Sequence, residues 1–406
     1  MDRRLAGMGA VVIEGPKACG KTATARQRAA SEVLLDVDTD ARQAAAIDAG
    51  LVLEGATPRL LDEWQVVPEL WNHIRRAIDD RREPGQFILT GSAVPADDIT
   101  RHTGAGRIAR LRLRPMSLYE LGASTGAVSV AGLFRGEFEG ARGELDFGRL
   151  VELTAIGGWP GHLSRGSSEA VQANRDYLEE VRRTDIRRVD GVRRDPTRVG
   201  RLLRSLARNV ATTASVSTMA ADTGEADGPL KDHTALEYLA ALEQLMAIED
   251  QPAWAPHLRS KSILRKSPKR HFVDPSLAVA AVGATPERLA SDLHFFGLLF
   301  ESLVIRDLRV YGQPLDAEVY HYRDNTGLEV DAVVERPDGR WAAFEIKLGG
   351  TQRIEEGAAS LLKFADRVDT ERSGEPAALG VIVGTGGYAY VRDDGVSIIP
   401  VGLLGP

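Results

Sequence analysis

The apolar positions of this chain change rhythm twice. Near the start, Val11, Val12 and Ile13 of AVVIE form a run too short for a helix and uninterrupted by polar residues, the pattern of a strand buried on both faces. Similar short runs recur at VLLDV (33–37), at Leu60 and Leu61, and at Phe87 to Leu89. Between the first two, a helix is expected from about Lys21 to Ser31. Short buried strands separated by such stretches predict an α/β unit with a parallel sheet over residues 1–140.

From about 146 to 190 the rhythm becomes helical, broken at GGWPG, where paired glycines and Pro-Gly must turn the chain. Leu202, Leu203, Leu206 and Val210 then share one helix face, SVSTMAADTG predicts a second short helix, and Leu236, Leu239, Leu242 and Leu245 lie on a third. Three helices followed by IEDQPAWA and the basic stretch KSILRKSPKRHFV predict a winged helix within a central helical region, residues 141–285. Asp274 as N-cap and Pro275 at the first helical position of VDPSLAVAAV are structural in this reading. The last section, 286–406, opens on the apolar helix FGLLFESLVIRDLRVYG and continues in the strands GLEVDAVVE and WAAFEIKLG, a second α/β unit.

Length and composition narrow the class. A chain of 406 residues exceeds one ordinary core, so two to four domains are expected. With 43% hydrophobic and 27% charged residues it has the balance of a soluble globular protein, and no apolar run approaches the ~18 residues of a membrane span. A cleaved leader is not expected, because the N-terminus runs straight into a phosphate-binding motif. A single cysteine, Cys19, excludes an intrachain disulfide and fits a cytoplasmic location. The net charge of −7 hides an asymmetry: residues 182–208 hold ten arginines against three aspartates, and 259–271 add six Lys/Arg with no acid. These stretches are either solvated helix faces with interface ion pairs or a surface that tracks nucleic-acid phosphates. The third helix of the winged-helix stretch is poor in basic residues, which disfavours base reading by that helix and leaves packing against the first unit as the competing use.

The chemistry begins at GPKACGKT. Gly15, Pro16, Lys17, Ala18, Cys19, Gly20, Lys21 and Thr22 match G-x-x-x-x-G-K-[ST] between a strand and a helix. Backbone N–H groups of such a loop wrap the phosphates of ATP, Lys21 reaches the β and γ phosphates, and Thr22 ligates Mg2+. In PRLLDEWQ, Asp62 is placed to hold magnesium through water and Glu63 to orient or deprotonate the attacking water. Thr90 and Ser92 of FILTGSA lie at the end of a strand, as γ-phosphate sensors or as a plain turn. Arg107 and Arg110 of GRIARLRLRPMSLYELG are candidates to neutralise transition-state charge, from the same subunit or from a neighbour in a homo-oligomer, or are surface arginines. Cys19 is read as a small loop residue, with a redox-sensitive thiol as the lesser alternative.

In the last unit, Glu301 lies near the buried face of its helix, costly unless paired or metal-bound. Asp331 sits in a strand, and Glu345 and Lys347, two apart, share one face of the next. The set resembles the acid, D, E-x-K layout of restriction-endonuclease-like nucleases, in which Asp331 and Glu345 would bind magnesium while Lys347 orients water. No PD dipeptide precedes the site, since Asp331 follows Val330.

Taken in order, GPKACGKT, LLDEWQ, FILTGSA and GRIARLRLRPMSLYEL, then GGWPGHL, YLEEVRRTDI, SPKRHFVDPSLA, GLEVDAVVE and FEIKLG, the chain resembles predicted AAA+ ATPases of bacteria and archaea that carry a poorly characterised C-terminal domain related to restriction endonucleases. The resemblance spans nearly the whole chain. It implies a P-loop NTPase sheet with an added strand between the loop and the acids, ATP hydrolysis by the first unit, and a PD-(D/E)XK nuclease-like fold in the last. Two functions follow as expectations: a Mg2+-dependent ATPase that drives a winged-helix and nuclease-like module on nucleic acid, or an ATP-dependent switch that recruits a protein partner and has an inactive nuclease-like domain.

Overall fold

A computed structural model describes residues 1–91, 103–189, 191–224, 228–256, 267–385 and 387–406. Ser92 lies outside these residues, as does 259–266 of the second basic stretch.

The first sheet contains β1 (Ala10–Glu14), β2 (Ser31–Leu34), β3 (Arg59–Asp62), β4 (Phe87–Gly91) and β5 (Ile108–Arg112), all parallel, in the order β2-β3-β4-β1-β5. Val11, Ile13, Leu60 and Ile88 feed one apolar cluster, while Val12, Leu61, Phe87 and Leu89 feed another on the opposite face. This two-sided burial accounts for the unbroken apolar runs. The helix after the glycine loop spans only Lys21–Arg26. It stops short of Ser31 because the Ala30 N–H donates to the Pro58 carbonyl (2.8 Å), drawing the chain into register with β3. The second strand also ends early, since the Val37 and Asp38 N–H groups bond back to Leu34 in a turn before the helix Thr39–Ile47. β4 separates β1 from β3, which puts Asp62 two strands from the loop.

Two short strands, β6 (Val128–Ser129) and β7 (Ala141–Arg142), lead into the helices Phe147–Ile156 and Ser167–Glu180. The GGWPG turn needs glycine twice: Gly157 has φ +79°, and a Cβ on Gly158 would lie 2.0 Å from the Met116 carbonyl oxygen. A π-helical turn, Val181–Asp185, prolongs the second helix. The helices Pro196–Arg208, Val216–Ala221 and Asp232–Gln244 follow, then an antiparallel pair, β8 (Ile248–Gln251) and β9 (Lys269–Phe272). Leu202, Leu203, Leu206 and Val210 are buried together as expected. On the third helix the buried stripe runs through Ala235, Tyr238, Leu239 and Leu242, so Leu236 falls at its edge and is 52% exposed.

The helix Leu293–Gly312 packs on a mixed sheet built from β10 (Glu318–Arg323), β11 (Glu329–Glu335), β12 (Trp341–Lys347), β13 (Ala378–Val383), β14 (Tyr388–Val391) and β15 (Ser397–Pro400), in the order β10-β11-β12-β13-β15-β14-β7. β16 (Leu404–Gly405) pairs with β6. One continuous apolar core therefore runs from Leu118 to Leu404, joining the central helices to this sheet.

A buried ionic knot ties these parts. Arg306 donates to Asp274 Oδ2 (2.7 Å) and through two nitrogens to Asp307 Oδ1 (2.8 and 2.7 Å). Asp307 also accepts from the Leu118 N–H (3.1 Å), and Asp274 accepts from Gly158 (3.0 Å) and Ser276 (2.9 Å). Asp274 is thus the helix cap that was expected, and a buried ion-pair partner besides.

Candidate functional site

The glycine loop leaves β1 at Glu14 and enters the helix at Lys21. A Cβ on Gly15 would stand 2.4 Å from the Leu113 carbonyl oxygen, so only glycine fits, and Gly20 has φ +96°. Ala18 is also left-handed (φ 62°), the backbone conformation by which such a turn can gather successive N–H groups around an anion. Lys21 is 6% exposed and donates to the Gly15 (3.0 Å) and Pro16 (2.8 Å) carbonyls. Burial lowers its pKa, partly offset by Cys19, Glu63 and Asp62. Cys19 is buried against Leu113, and burial pushes its thiol up, away from the reactive thiolate.

Asp62 ends β3 beside this loop. Its Oδ1 accepts from the Thr22 hydroxyl (2.8 Å) and from the Thr90 hydroxyl at the end of β4. Glu63 follows in a left-handed conformation (φ 52°) and accepts from the Gln65 side chain. Lys17, Ala18, Gly20, Lys21, Thr22 and Glu63 line one cleft of about 800 Å³. Asp185, Val189 and Leu245 of the central region form its opposite wall. Lys17 ion-pairs with Asp185 across the cleft (2.5 Å), and the π-helical turn sets Asp185 there. Thr22 and Asp62 present hard oxygens side by side, the donor chemistry that suits Mg2+.

The arginine candidates lie elsewhere. Arg107 precedes β5 at the end of the parallel strands opposite the loop and pairs with Asp79 (2.7 Å), away from its own cleft. Arg110 pairs with Glu14 and stacks over Trp71.

The structure brings Glu301, Asp331, Glu345 and Lys347 together. Lys347 Nζ donates to Glu345 Oε2 (2.5 Å) and Asp331 Oδ2 (3.2 Å), and the Ile346 N–H donates to that same Asp331 oxygen (2.9 Å). Ser360 donates to Glu345 Oε1 (3.0 Å). A further cation stands in the middle. Lys269 of β9, 2% exposed, lies 2.7 Å from Glu301, 2.9 Å from Glu329 and 3.4 Å from Asp331. Lys269 and Arg270 had belonged to the basic surface stretch. Strand alternation instead turns Lys269 and His271 inward, and Arg270 donates to the Ala214 carbonyl (3.1 Å).

Burial opposes ionisation throughout this cluster. It raises the Glu301 carboxyl to about 7, and with the Asp331 charge it raises Glu345 to about 8. Asp331 is held below the usual range, since Lys269, Lys347 and the Ile346 N–H outweigh its burial. Both lysines stay charged because the surrounding carboxylates outweigh theirs. Among the described residues no group of three or more His, Cys, Asp or Glu side chains is disposed to hold a metal ion. Lys269, Glu329 and Asp185 were not singled out in the sequence. For Lys269 the available signal was the K-x-H alternation before an apolar FV pair.

Three family matches divide the chain: an AAA domain over residues 8–122, a domain of unknown function (DUF8612) over 148–288, and another (DUF4143) over 296–404. Two curated relatives, uncharacterized proteins Mb2031c of Mycobacterium bovis and Rv2008c of Mycobacterium tuberculosis, are each 25% identical over 358 residues, 87% of this chain and 73% of theirs. Among solved structures, the Walker-type ATPase paby2304 of Pyrococcus abyssi aligns with a TM-score of 0.40 and 13% identity, covering 69% of this chain and 93% of that one. The AAA match takes in the glycine loop, Asp62 and Glu63, so the N-terminal part is similar to an ATPase-like AAA domain. Among the described residues no helix is long and apolar enough to cross a membrane.

Proposed function

We propose that this chain binds and hydrolyses ATP with Mg2+, and that its nucleotide state drives the two units that follow, residues 141–285 and 286–406. The observation that carries this reading is the convergence of Lys21, Thr22 and Glu63 on a cleft that residues of the central helical region also line, with Asp62 hydrogen-bonded to Thr22 beside it. Thr22 and Asp62 would hold the magnesium, whose charge would offset that of the β and γ phosphates. Lys21 leaves its loop carbonyls for phosphate oxygens. Thr90, already on Asp62, is placed to register the γ-phosphate, and Glu63 orients water. Because Asp185 pairs with Lys17 inside the loop, phosphate competes for Lys17 and the central region feels occupancy directly. Glu63→Gln should retain ATP while phosphate release falls by about 10²-fold or more; unchanged release would remove Glu63 from the mechanism.

For the C-terminal unit, the helix, strand and E-x-K arrangement supports a nuclease-like fold, and the lysine-saturated acids favour the switch over nucleic-acid cleavage. The three helices and β8–β9 pair are consistent with a winged helix. A nucleic-acid contact is favoured by one observation: Arg183, Arg187, Arg204 and Arg208 are exposed on helical segments of the central region, and Arg193 is exposed on the segment between them. Binding to DNA that weakens steeply with salt, and less so in an Arg204→Ala/Arg208→Ala variant, would support it; salt-independent or absent binding would remove it. Arg107 pairs with Asp79, away from its own cleft, so as a charge-neutralising arginine it would serve the cleft of a neighbouring subunit, an assembly that sedimentation with and without ATP would reveal.

A further inference from the structure

A divalent metal sought among Glu301, Asp331 and Glu345 meets an obstacle on the page. The Lys269 ammonium has three N–H donors, and three carboxylates, Glu301, Glu329 and Asp331, stand within 2.7 to 3.4 Å of it. Lys347 neutralises the other side of Asp331 and Glu345. A metal ion would need those same oxygens and room for its waters. The cluster, read as a magnesium site from its spacing, does not fit the metal while Lys269 is seated.

We infer that Lys269 is the resident cation of this cluster, a plug supplied by the central region that keeps divalent metal out of the C-terminal unit. The inference rests on the nuclease-like reading only for the kind of ion displaced. Its carrier is firmly seated. Gln251, opposite Lys269 in the β8–β9 pair, donates to the main-chain carbonyls of Asp331 and Tyr320 (both 2.9 Å). His271, on the same face as Lys269, bonds Ser302 and Gln251 (both 3.1 Å).

The same strand pair is fastened toward the ATPase domain. Glu249 of β8 accepts two hydrogen bonds from Arg114 (3.0 and 2.6 Å), two residues beyond β5, and pairs with Arg309 (3.3 Å). β5 is the direct neighbour of the loop-bearing β1, and the Leu113 carbonyl packs against Gly15. The plug is withdrawn only when this strand pair shifts, and one end of the pair is held by a strand that touches the nucleotide loop.

Mn2+ titrated calorimetrically into the nucleotide-free full chain tests this, using wild type, Asp331→Asn, Lys269→Met and the double variant. Wild type and Asp331→Asn should bind Mn2+ alike. Lys269→Met should bind about tenfold tighter or more, because the uncovered carboxylates then seek a cation, and adding Asp331→Asn should abolish the gain. Wild-type binding that depends on Asp331, or a folded Lys269→Met that gains nothing, overturns the inference. Should Lys269→Met fail to fold, the wild type and Asp331→Asn pair decides alone: equal binding supports the plug and a loss refutes it. DNA cleavage by metal-loaded Lys269→Met addresses the nuclease-like reading separately, since metal gained without cleavage leaves the plug standing and removes the nuclease.

Discussion

Replacing Arg306 by methionine should loosen the whole chain beyond Leu118. The guanidinium is 3% exposed and is the shared partner of Asp274 and Asp307, both fully buried. Burial opposes its charge, yet the two carboxylates raise its pKa well above the ordinary arginine value. Methionine matches the stem and leaves two carboxylates without a cation, and breaking a buried pair in this way costs about 3–5 kcal/mol. Protonation sets a ceiling: forcing a proton at pH 7 onto a carboxyl of ordinary pKa costs about 4 kcal/mol, and about 1.5 kcal/mol at pH 5. The remaining hydrogen bonds, from Gly158 and Ser276 to Asp274 and from Leu118 to Asp307, keep the actual loss at or below that ceiling for each group. The expected destabilisation at neutral pH is therefore about 4 kcal/mol, shrinking by more than half on acidification, because burial already pushes the Asp307 carboxyl up and Arg306 no longer counters it. Urea unfolding followed by circular dichroism at pH 5 and pH 7.5 measures both quantities. A loss within about 1 kcal/mol of wild type at neutral pH, or one that grows on acidification, would refute the argument.

Other consequences are more local. Gly15→Ala should abolish nucleotide binding with the fold retained by circular dichroism, since the new methyl meets a main-chain oxygen that cannot swing aside; nucleotide affinity near wild type would disprove this. His271 is held neutral by burial and by the nearby Arg309 and Lys269 charges, well below its ordinary 6.5. The unfolded chain therefore takes up a proton that the folded chain refuses. Its contribution is present above pH 6.5 and is lost as pH falls below that value towards the lowered folded pKa. His271→Gln should flatten the stability profile between pH 5 and 7, and a variant curve parallel to wild type would contradict that.

The legible parts of this molecule were those whose requirements are local. The phosphate loop could be read because a glycine at 15, a left-handed glycine at 20 and a lysine and hydroxyl at 21 and 22 are demands of one short turn. Asp62 could be read because it ends a buried strand, although its place two strands away depends on β4 entering between. Glu301, Asp331, Glu345 and Lys347 were visible as charges on apolar elements, which need partners. Lys269 was not, because its charge resembles its basic neighbours until β9 pairs with β8 and turns every second side chain inward. Asp185 was hidden for a similar reason, inside an arginine-rich run whose π-helical turn redirects one acid to the loop. Leu236 was misplaced by one position, since a helical stripe through Ala235, Tyr238, Leu239 and Leu242 reads almost the same when small and aromatic residues carry it.

The central claim is that the N-terminal loop grips ATP through Lys21. Equilibrium binding of labelled ATP to the purified full chain, with Lys21→Ala beside wild type, tests it most directly. The account predicts saturable, magnesium-strengthened binding by wild type that is lost in the variant; wild-type protein that retains no nucleotide, or a variant that binds as tightly, would contradict it.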